Sequence, residues 1–413
     1  MQYDLVVIGG GPAGMLAALT AAQQKAKVLL LEKNEKLGKK LYITGKGRCN
    51  VTNNGTLEDF INSINTNKKF LYSAFNKFDN HHLITLLNDL GVKTKVERGN
   101  RVFPASDKSS DIINALQRRL KDLRVEIKYQ ATVDKILTST DQVSAVVLAD
   151  GSTITCGNAV IATGGVSYQS TGSTGDGYRL ASELGHTVVT PKPALIPLII
   201  AEDWAKTLQG LALKNVTASL VVNNKKISQQ FGEMLFTHFG ISGPIILTLS
   251  SLLKNAKVKQ KKIQLDLKPA LTAEQLDKRI QRDFQKYANK QLQNALGELL
   301  PKRLIPVIIN VTGINPEKTV HQITRAERQQ LIQSIKQLEL TITGTRPINE
   351  AIVTSGGIKT NEINPSTMES KLVKGLYFAG EVIDVDAVTG GYNLQIAFST
   401  GYLSGFSATQ TNS

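Results

Sequence analysis

The sequence predicts an α/β fold in which a parallel sheet is built from both ends of the chain. Near the start, the apolar strand Leu5 to Ile8 runs into a glycine-rich turn and a helix. The next apolar strand, Lys27 to Leu31, ends in Glu32. A further apolar strand, Leu376 to Ala379, is followed by Gly380 near the C-terminus. Together these observations predict a Rossmann-like dinucleotide-binding domain that is interrupted by a long insertion.

The first turn carries the glycine spacing G-x-G-x-x-G at Gly9, Gly11 and Gly14, and Met15 to Gln24 continues it as a helix. Gly9 permits the tight turn, Gly11 lets a pyrophosphate approach the backbone, and Gly14 lets the helix pack closely on the strand. The helix N-terminus supplies N–H groups and partial positive charge for the phosphates. Glu32 is placed to accept hydrogen bonds from an adenosine ribose.

Length and composition indicate a globular protein of two or three domains, since 413 residues allow about 150 for each. The chain is 41% hydrophobic, and no run approaches the roughly 18 apolar residues that span a bilayer. The N-terminus runs directly into the first strand and does not resemble a signal peptide. Two cysteines, Cys49 and Cys156, form no disulfide framework, so we expect a reducing, cytoplasmic setting.

The formal net charge of +15 favours anionic partners such as nucleic acid. Residues 251–303 contain 13 Lys or Arg and 5 Asp or Glu, which is more than half of the excess. A solvated basic face and a nucleic-acid surface both explain such a segment.

The glycine- and lysine-rich segment Asn34 to Asn54 directly follows the ribose-binding strand, so we expect it beside the pyrophosphate and ring of the cofactor. Its Gly45 and Gly47 permit close backbone approach. Cys49 has two interpretations: nearby cations favour a reactive thiolate, or it is a small, inert residue packed under the ring. The cations that can face phosphates are Lys39, Lys40, Lys46 and Arg48.

The segments that follow are predicted to form helices, a hairpin and strands. Asp79 or Asn80 caps a helix that ends at Leu90, and Val92 to Pro104 resembles a hairpin with Gly99-Asn100 at its turn. Ser109 or Ser110 caps another helix. A three-stranded antiparallel excursion, typical of flavin-binding folds, follows, and Cys156 is expected in an edge strand. The segments predicted as strands in this part of the chain are Val125 to Tyr129, Thr132 to Leu137, Val143 to Leu148 and the returning Ser152 to Cys156.

A further buried strand, Asn158 to Gly165, is expected to rejoin the parallel sheet, with Ala162, Thr163 and Gly164 meeting the adenosine half of the cofactor. The glycine-rich Gly172 to Gly177 then leads into a helix. Its glycine order is wrong for a second dinucleotide fingerprint, and no strand precedes it.

Prolines at 191, 193 and 197 mark a boundary, after which Leu211 to Asn223 alternates as strands. His238, in Phe231 to Pro244, is the best histidine for substrate contact or proton transfer; a structural histidine is the alternative. Thr272 to Leu340 is predicted to be mainly helical, with helices starting at Thr272 and Thr324. The histidines have no metal-ligand spacing.

The C-terminal strand completes the predicted site. An acid after Gly380 can hold the ribityl chain of a flavin, and we favour Glu381 over Asp384 for this contact. Gly390 to Asn393 opens a helix whose N–H groups, aimed at the flavin N1 and C2 carbonyl, stabilise negative charge on the reduced ring.

Four stretches give the whole chain a resemblance to a known family, the HI0933-like or BaiN/YhiN-type flavoproteins, including those called aminoacetone oxidases. One departure is Lys46, where family members commonly have glycine. The matching stretches are Gly38 to Asn53, Ser167 to His186, Leu235 to Pro244 and Phe378 to Gln395.

The resemblance implies bound FAD and three parts: a discontinuous FAD-binding domain (1–190 and 361–413), a β-barrel-like substrate domain (191–271 and 340–360), and a helical insertion (272–339). The candidate catalytic residues are Cys49, His238 and Arg48. The candidate cofactor-binding residues are Gly9, Gly11, Pro12, Ala13, Gly14, Glu32, Lys33, Lys40, Gly47, Arg48, Cys49, Val133, Ala162, Thr163, Gly164, Gly380, Glu381, Asp384, Gly391, Tyr392 and Asn393.

Three functions fit these expectations. The first is an NAD(P)H-driven reductase that forms dihydrouridine in large-subunit ribosomal RNA, with phosphates bound by the basic segment 251–303. The second is an oxidase of a small amine such as aminoacetone, which would yield methylglyoxal, ammonia and hydrogen peroxide. The third is a non-catalytic FAD-binding module. The partner is accordingly a small molecule or rRNA, and no membrane contact is expected.

Overall fold

The computed structural model describes residues 2–253 and 260–410, so part of the basic segment 251–303 lies outside the described residues. The chain forms two compact units. The first contains the residues up to Ala194 together with those from Pro347 onward, and the second is Leu195–Arg346. The discontinuous first unit contains both ends of the chain.

The strands, numbered along the chain, are β1 (Tyr3–Ile8), β2 (Val28–Leu31), β3 (Thr52–Asn53), β4 (Thr94–Glu97), β5 (Arg101–Pro104), β6 (Glu126–Lys128), β7 (Val133–Ser139), β8 (Gln142–Leu148), β9 (Thr153–Ile161), β10 (Val188–Ala194), β11 (Leu198–Ile200), β12 (Ala212–Val222), β13 (Lys225–Thr237), β14 (Gly240–Ser242), β15 (Lys261–Asp266), β16 (Leu338–Thr345), β17 (Val353–Ile358) and β18 (Leu376–Phe378).

The helices are α1 (Pro12–Gln23), α2 (Lys39–Ile43), α3 (Leu57–Ser63), α4 (Tyr72–Lys77), α5 (Asn80–Asp89), α6 (Ser109–Asp122), α7 (Asp176–Glu183), α8 (Asp203–Thr207), α9 (Pro244–Ser250), α10 (Ala273–Lys286), α11 (Leu292–Ala295), α12 (Ile305–Thr312), α13 (Arg325–Lys336) and α14 (Tyr392–Gln410). Within 2–253 and 260–410, none of them combines the length and apolar character that a bilayer crossing requires.

The main sheet of the first unit has the strand order β6-β2-β1-β9-β8-β7, and β18 also pairs with β9. Strands β1, β2, β6, β18 and the second half of β9 run parallel, whereas β7 and β8 are antiparallel additions. Ile8 lies opposite both Leu31 and Ile161, and Ile161 also lies opposite Phe378. Four parallel strands therefore end at one edge, which is where α/β sheets bind ligands.

Helix α1 is buried over most of its surface, from Ala13 to Ala22, because the sheet lies on one side of it and α14 on another. A Cβ atom on Gly401 or Gly405 of α14 would lie 2.3 or 2.2 Å from the carbonyl oxygens of Ala13 and Ala17. Only glycine permits so close an approach, so this contact fixes α14 against the first turn of α1.

Two expectations for this sheet are wrong. Thr153–Ile161 is one continuous strand, whereas the sequence suggested two separate segments. Cys156 consequently lies in a central strand, opposite Tyr3, and not at an edge. The predicted cap by Ser109 or Ser110 is also wrong: α6 begins at Ser109, directly after Lys108, and no side chain caps it.

Several local predictions are confirmed. Asp79 caps α5 by accepting a hydrogen bond from the backbone N–H of His82. Strands β4 and β5 form the predicted hairpin, with Gly99 and Asn100 at positive φ in its turn. Strand β3 pairs with β5 to complete a small sheet.

The second unit is a closed barrel in the strand order β11-β14-β13-β12-β15-β16, together with helices α8 to α13. One hydrophobic core joins barrel and helices, since Ile263 and Leu265 of the barrel cluster with Leu276 of α10 and Leu331 of α13. The predicted caps are confirmed: Thr272 and Thr324 each form a reciprocal capping box.

The division into units differs from the expected domain boundaries at both places where the chain passes between the units, since residues 191–194 also fall in the first unit. Residues 347–360, which were assigned to the barrel-like domain, fall in the first unit because β17 pairs antiparallel with β10. The helical segment 272–339 shares the second unit with the barrel.

His186 is a buried histidine of the first unit, with 4% of its surface exposed. Its Nε2 lies 2.9 Å from Ser370 Oγ, its ring packs edge-on against Phe378, and its Nδ1 lies 3.5 Å from a carboxylate oxygen of Glu362. Burial lowers the pKa of His186, although the Glu362 carboxylate opposes this effect. The neutral imidazole is therefore the form that the fold favours.

We expect acid to destabilise the protein through His186. In the unfolded chain this histidine gains a proton near its ordinary pKa of about 6.5, whereas in the folded protein it does so only at lower pH. The free energy of unfolding should therefore fall as the pH decreases below about 6.5. Urea unfolding at pH 8.0 and 5.5 measures this, and His186→Gln should reduce the difference. His81→Gln, at an exposed position of α5, is the matched control; an equal effect of both variants would contradict the assignment.

Candidate cofactor-binding site

The three glycines of the first turn have different surroundings. Gly9 has φ +106°, and a Cβ there would lie 2.6 Å from the carbonyl oxygen of Ala162, at the end of the neighbouring strand. A Cβ on Gly14 would lie 1.9 Å from the carbonyl oxygen of Gly9. Gly11, in contrast, has no atom within 4 Å of its Cβ position. Packing explains Gly9 and Gly14, whereas the space at Gly11 suits a ligand.

The start of α1 faces this space. Gly11 is the N-cap residue, Pro12 is the first helical residue, and no side chain caps the helix. The first N–H groups of any helix, here those of Ala13 and Gly14, lack intrahelical partners. A helix end of this kind binds phosphate through its N–H groups and its dipole.

Glu32 is buried directly after β2 and is held by two backbone donors and one side-chain donor. The N–H of Gly10 donates to Oε2 at 2.8 Å, and the N–H and side-chain amide of Asn34 donate to Oε1 at 2.8 and 2.6 Å. A carboxylate accepts about four hydrogen bonds, so capacity remains for a ribose hydroxyl. Because Gly10 and Glu32 are bonded, the acid is fixed beside the phosphate turn.

Lys33, Thr163 and Val133, which the sequence also predicts to bind the cofactor, are engaged in contacts within the protein or are buried. Lys33 Nζ bonds Asp176 Oδ2 at 2.7 Å, which ties β2 to the start of α7. Thr163 Oγ1 is buried without a partner in the described part of the chain and lies against Gly177, where a Cβ would be 2.2 Å away. Val133 is buried, and its carbonyl oxygen accepts a bond from Arg179. Ala162 is buried and donates its N–H to the carbonyl of Ile8 at 2.9 Å, and a backbone contact of 162–164 with the cofactor stays a prediction.

A polar cluster joins the two ends of the chain at the same edge. Lys40 Nζ donates to Glu381 Oε2 and to Ser167 Oγ, both at 2.7 Å. Glu381 Oε1 accepts from Ser167 Oγ at 3.0 Å and from the backbone N–H of Thr354 at 2.7 Å. Glu381 follows Gly380, whose φ of +78° turns the chain toward the cluster. The sequence reasoning missed Ser167 and Thr354, although Ser167 begins one of the stretches that carry the family resemblance.

Asp384, the alternative to Glu381, has different surroundings. It is 7% exposed, and Asn67 donates its side-chain amide to Asp384 Oδ2 at 3.0 Å. Burial raises the pKa of Asp384, and the nearby Asp386 carboxylate adds to this effect. Glu381, held by a lysine and two hydrogen-bond donors, has the better-compensated negative charge.

The start of α14 is fixed by backbone contacts. A Cβ on Gly391, which has φ +98°, would lie 2.3 Å from the carbonyl oxygen of Thr52. The Asn393 side chain accepts from the N–H of Ala387 at 2.9 Å and donates to the carbonyl of the same residue at 2.8 Å. Tyr392 packs its ring edge-on against Phe60. The first turn of α14 is therefore held in one orientation.

Part of the loop that the sequence predicts to face phosphates has a left-handed backbone conformation. Gly45, Lys46 and Gly47 have φ of +56°, +59° and +85°. Lys46 thus occupies a left-handed position that glycine adopts with least strain. Arg48 stacks on Phe103 at 4.3 Å and is bonded to Glu97 and Asp107, so its guanidinium is committed to protein partners.

Cys49 differs from the reactive thiolate that the neighbouring cations suggested. Its side chain has no exposed surface and packs with Leu41 and Val51. Burial raises the pKa of Cys49 to about 12, while a hydrogen bond involving Thr44 opposes this shift. This burial favours the alternative of a small packed residue over a thiolate, and a catalytic role of Cys49 stays a prediction.

His238 belongs to the second unit. It lies in the turn between β13 and β14, where its side chain is exposed and packs edge-on against the ring of Phe239 at 4.9 Å. Its predicted role in proton transfer stays a prediction.

The residues of the first unit fit FAD. The open Gly11 and the uncapped α1 would hold the pyrophosphate, Glu32 the ribose, Glu381 the ribityl chain, and the first N–H groups of α14 the ring. When bound, FAD supplies two-electron transfer at its ring, and the chain supplies position and charge.

Comparisons with known proteins agree with this fit. A family model described as "HI0933-like protein Rossmann domain" matches residues 3–407. The 3-dehydro-bile acid delta(4,6)-reductase of Clostridium scindens is 32% identical over 408 residues, which cover 98% of each chain. A ribosomal RNA dihydrouridine synthase of Escherichia coli is 30% identical over 97% of this chain and 96% of its own.

Two solved structures share the fold. A 3-ketosteroid-delta4-(5alpha)-dehydrogenase from Rhodococcus jostii has a TM-score of 0.53 at 14% identity, covering 98% of this chain and 96% of its own. A 3-ketosteroid delta1-dehydrogenase from Sterolibacterium denitrificans has a TM-score of 0.54 at 10% identity, covering 99% and 100%. At these identities the likeness establishes the fold alone.

We expect Gly11→Ala to weaken FAD binding at least about tenfold, because the added methyl group occupies the space meant for the pyrophosphate. The unfolding free energy of the FAD-free protein should change by no more than about 1 kcal/mol, since the methyl meets no protein atom. FAD titration by fluorescence and urea unfolding measure the two effects. Gly14→Ala is the control: it should cost about 1–3 kcal/mol of stability through its contact with Gly9. Unchanged FAD affinity in Gly11→Ala would place the pyrophosphate elsewhere.

The family model covers nearly the whole chain, and relatives about 30% identical cover at least 96% of both sequences. The fold, the glycine turn and the buried acid of the first unit agree with that match. The chain therefore belongs to the HI0933-like family of FAD-dependent oxidoreductases.

Proposed function

We propose that this oxidoreductase uses NAD(P)H to reduce a carbon–carbon double bond conjugated to a carbonyl, and that its substrate is a uridine of ribosomal RNA. The names of the relatives support the first part. A delta(4,6)-reductase of a 3-dehydro-bile acid and a dihydrouridine synthase both add hydrogen across such a bond. In uracil the C5–C6 double bond is conjugated to the C4 carbonyl.

The observation that carries the RNA proposal is the concentration of cations on the loop that reaches the cofactor site. Residues 33–48 contain six Lys or Arg and one acid, Glu35. Lys40 of this loop bonds Glu381 at the strand edge. A polyanionic substrate is favoured beside such a loop, because its phosphates release counterions on binding.

The basic segment 251–303 supports the RNA proposal less strongly than its charge suggested. Within its described part, Arg279 is paired with Asp283, and Lys286 with Glu298. These pairs neutralise part of the surplus, just as carboxylates pair with Lys33, Lys39, Lys40 and Arg48 at 33–48. The loop at 33–48 carries more of the argument because it reaches the strand edge of the first unit through Lys40.

The reaction adds two electrons with a proton, as a hydride, to C6 of uracil, and a second proton to C5; NAD(P)H becomes NAD(P)⁺. The chain contributes fixed charge: the first N–H groups of α14 favour negative charge near them. Cys49 and His238 were the candidates for the second proton. A thiol with pKa about 12 is a weak acid without exposed surface, whereas the His238 side chain is exposed.

We expect NADPH to bleach the bound flavin within the dead time or the first seconds of anaerobic mixing. The reduced enzyme should then reoxidise rapidly with uridine-containing rRNA fragments and slowly with oxygen. Stopped-flow absorbance near the flavin band measures both steps, and mass spectrometry of the RNA should show the gain of two hydrogens per modified uridine.

Aminoacetone is the comparison substrate in the same instrument. Bleaching by aminoacetone and not by NADPH, followed by fast reaction with oxygen, would defeat the reductase proposal and support an amine oxidase. Reduction by NADPH with turnover of a steroid enone alone would keep the reductase chemistry and remove RNA as the substrate. A chain that binds FAD but reacts with none of these would be a binding module.

We expect His238→Gln to keep flavin reduction by NADPH but to lower turnover with uridine about 10²-fold or more, because a positioned general acid contributes about 10²–10⁴. Cys49→Ala should change turnover by less than about threefold if the thiol only packs. Single-turnover reoxidation measures both variants. The reverse ranking would return Cys49 to the role of proton donor.

A further inference from the structure

The loop at 33–48 presents an exposed apolar surface among its cations. Tyr42 and Ile43, at the end of α2, are 52% and 40% exposed. Lys36 and Lys46 are exposed on the same loop, and Lys36 Nζ lies 5.7 Å from the centre of the Tyr42 ring. An exposed aromatic ring with a lysine beside it is an arrangement that proteins use to bind single-stranded nucleic acid, by stacking on a base and contacting a phosphate.

The backbone that carries Tyr42 is held firmly. Its N–H donates to the carbonyl of Gly38 at 2.8 Å, and its carbonyl accepts from Ser109 Oγ at 2.7 Å. Gly38, at φ +68°, packs against Ile113 of α6, where a Cβ would lie 3.0 Å from the isoleucine side chain. Because the backbone is fixed, little conformational freedom is lost when a ligand meets the ring.

Tyr42 lies only two positions after Lys40, whose side chain reaches the strand edge of the candidate cofactor site. Lys40, two residues earlier in α2, points to Glu381 with an Nζ–Oε2 distance of 2.7 Å. Two residues correspond to about 200° around a helix, so the two side chains leave α2 on opposite faces. One face of this short helix therefore reaches the site while the other presents the ring to solvent.

The charges around the ring are available to phosphate. Lys33, Lys39 and Lys40 are ion-paired with Asp176, Glu35 and Glu381. For Lys36 and Lys46, the part of the chain that the structure describes contains no carboxylate within ion-pair distance. These two lysines lie on either side of Tyr42 in the sequence.

We propose that Tyr42 is a stacking platform for an unpaired base of the RNA substrate, next to the uridine that is reduced, with Lys36 and Lys46 contacting the flanking phosphates. The proposal rests on the proposed function. A uridine that leaves its stack to be reduced exposes the faces of its neighbours, and an aromatic side chain replaces the lost stacking. RNA is favoured over a small apolar substrate because the ring is accompanied by unpaired cations.

The test measures binding of a fluorescent RNA hairpin, with uridines in its loop, to the FAD-loaded enzyme. Tyr42→Ala should weaken binding at least about fivefold, the range that removal of a stacked aromatic produces. Tyr42→Phe should bind as the wild type, since the ring is retained. Tyr72→Ala, at a tyrosine that is 44% exposed on α4, is the matched control and should have no effect.

The lysines give a second readout. Lys36→Ala and Lys46→Ala should each reduce the slope of log affinity against log salt by about 0.7, the value for one phosphate contact with a single strand. Tyr42→Ala should leave that slope unchanged, because stacking releases no counterions. This difference separates a platform from a general loss of charge or folding.

If Tyr42→Ala binds RNA as tightly as Tyr72→Ala, and both variants still reduce uridine, Tyr42 is not a stacking platform. The proposed function then remains intact. A Tyr42→Ala variant that loses turnover of a steroid enone but not RNA binding would assign the ring to a small apolar substrate and also overturn it. Failure of the wild type to reduce any uridine would instead overturn the proposed function.

Discussion

Backbone contact between the two ends of the chain is the constraint on which the site depends. Helix α14 approaches α1 so closely that Gly401 and Gly405 lie against the carbonyl oxygens of Ala13 and Ala17. At the same time β18 pairs with β9, which pairs with β1. Side chains on those glycines would separate the helices and displace the C-terminal segment from the glycine turn. The insertion between the two ends is tolerated because its own unit has a separate core.

The polar groups at the strand edge are fixed before any ligand arrives. Glu32 is bonded to the backbone of the phosphate turn, and Glu381 is bonded to Lys40, Ser167 and the backbone of Thr354. Each carboxylate therefore has its charge compensated and its direction set by partners from other segments. Preorganised groups of this kind need little rearrangement during a reaction, which is how a site favours charge that develops on its cofactor.

The loop at 33–48 connects the strand edge of the candidate cofactor site to the protein surface. Helix α2 has only five residues, yet it directs Lys40 inward and Tyr42 outward. The cations of the loop divide accordingly: some are paired with carboxylates of the fold, and others remain at the surface. A substrate that binds through phosphates and an aromatic face meets the second group, so binding and position of the reacting base depend on neighbouring residues of one segment.

Features that depend on short-range rules could be predicted from the amino-acid sequence. The glycine turn, Glu32, the hairpin at Gly99-Asn100 and the caps at Asp79, Thr272 and Thr324 are each decided by a few adjacent residues, because turn geometry and helix ends are short-range. Other features follow only from contacts in the folded chain: the partners of Arg48, the burial of Cys49, the continuity of β9, the place of residues 347–360 in the first unit, and the bonds from Ser167 and Thr354 to Glu381. These features depend on contacts between residues that are far apart in the chain, and the pKa of a thiol depends on what surrounds it in space and not on its neighbours in sequence.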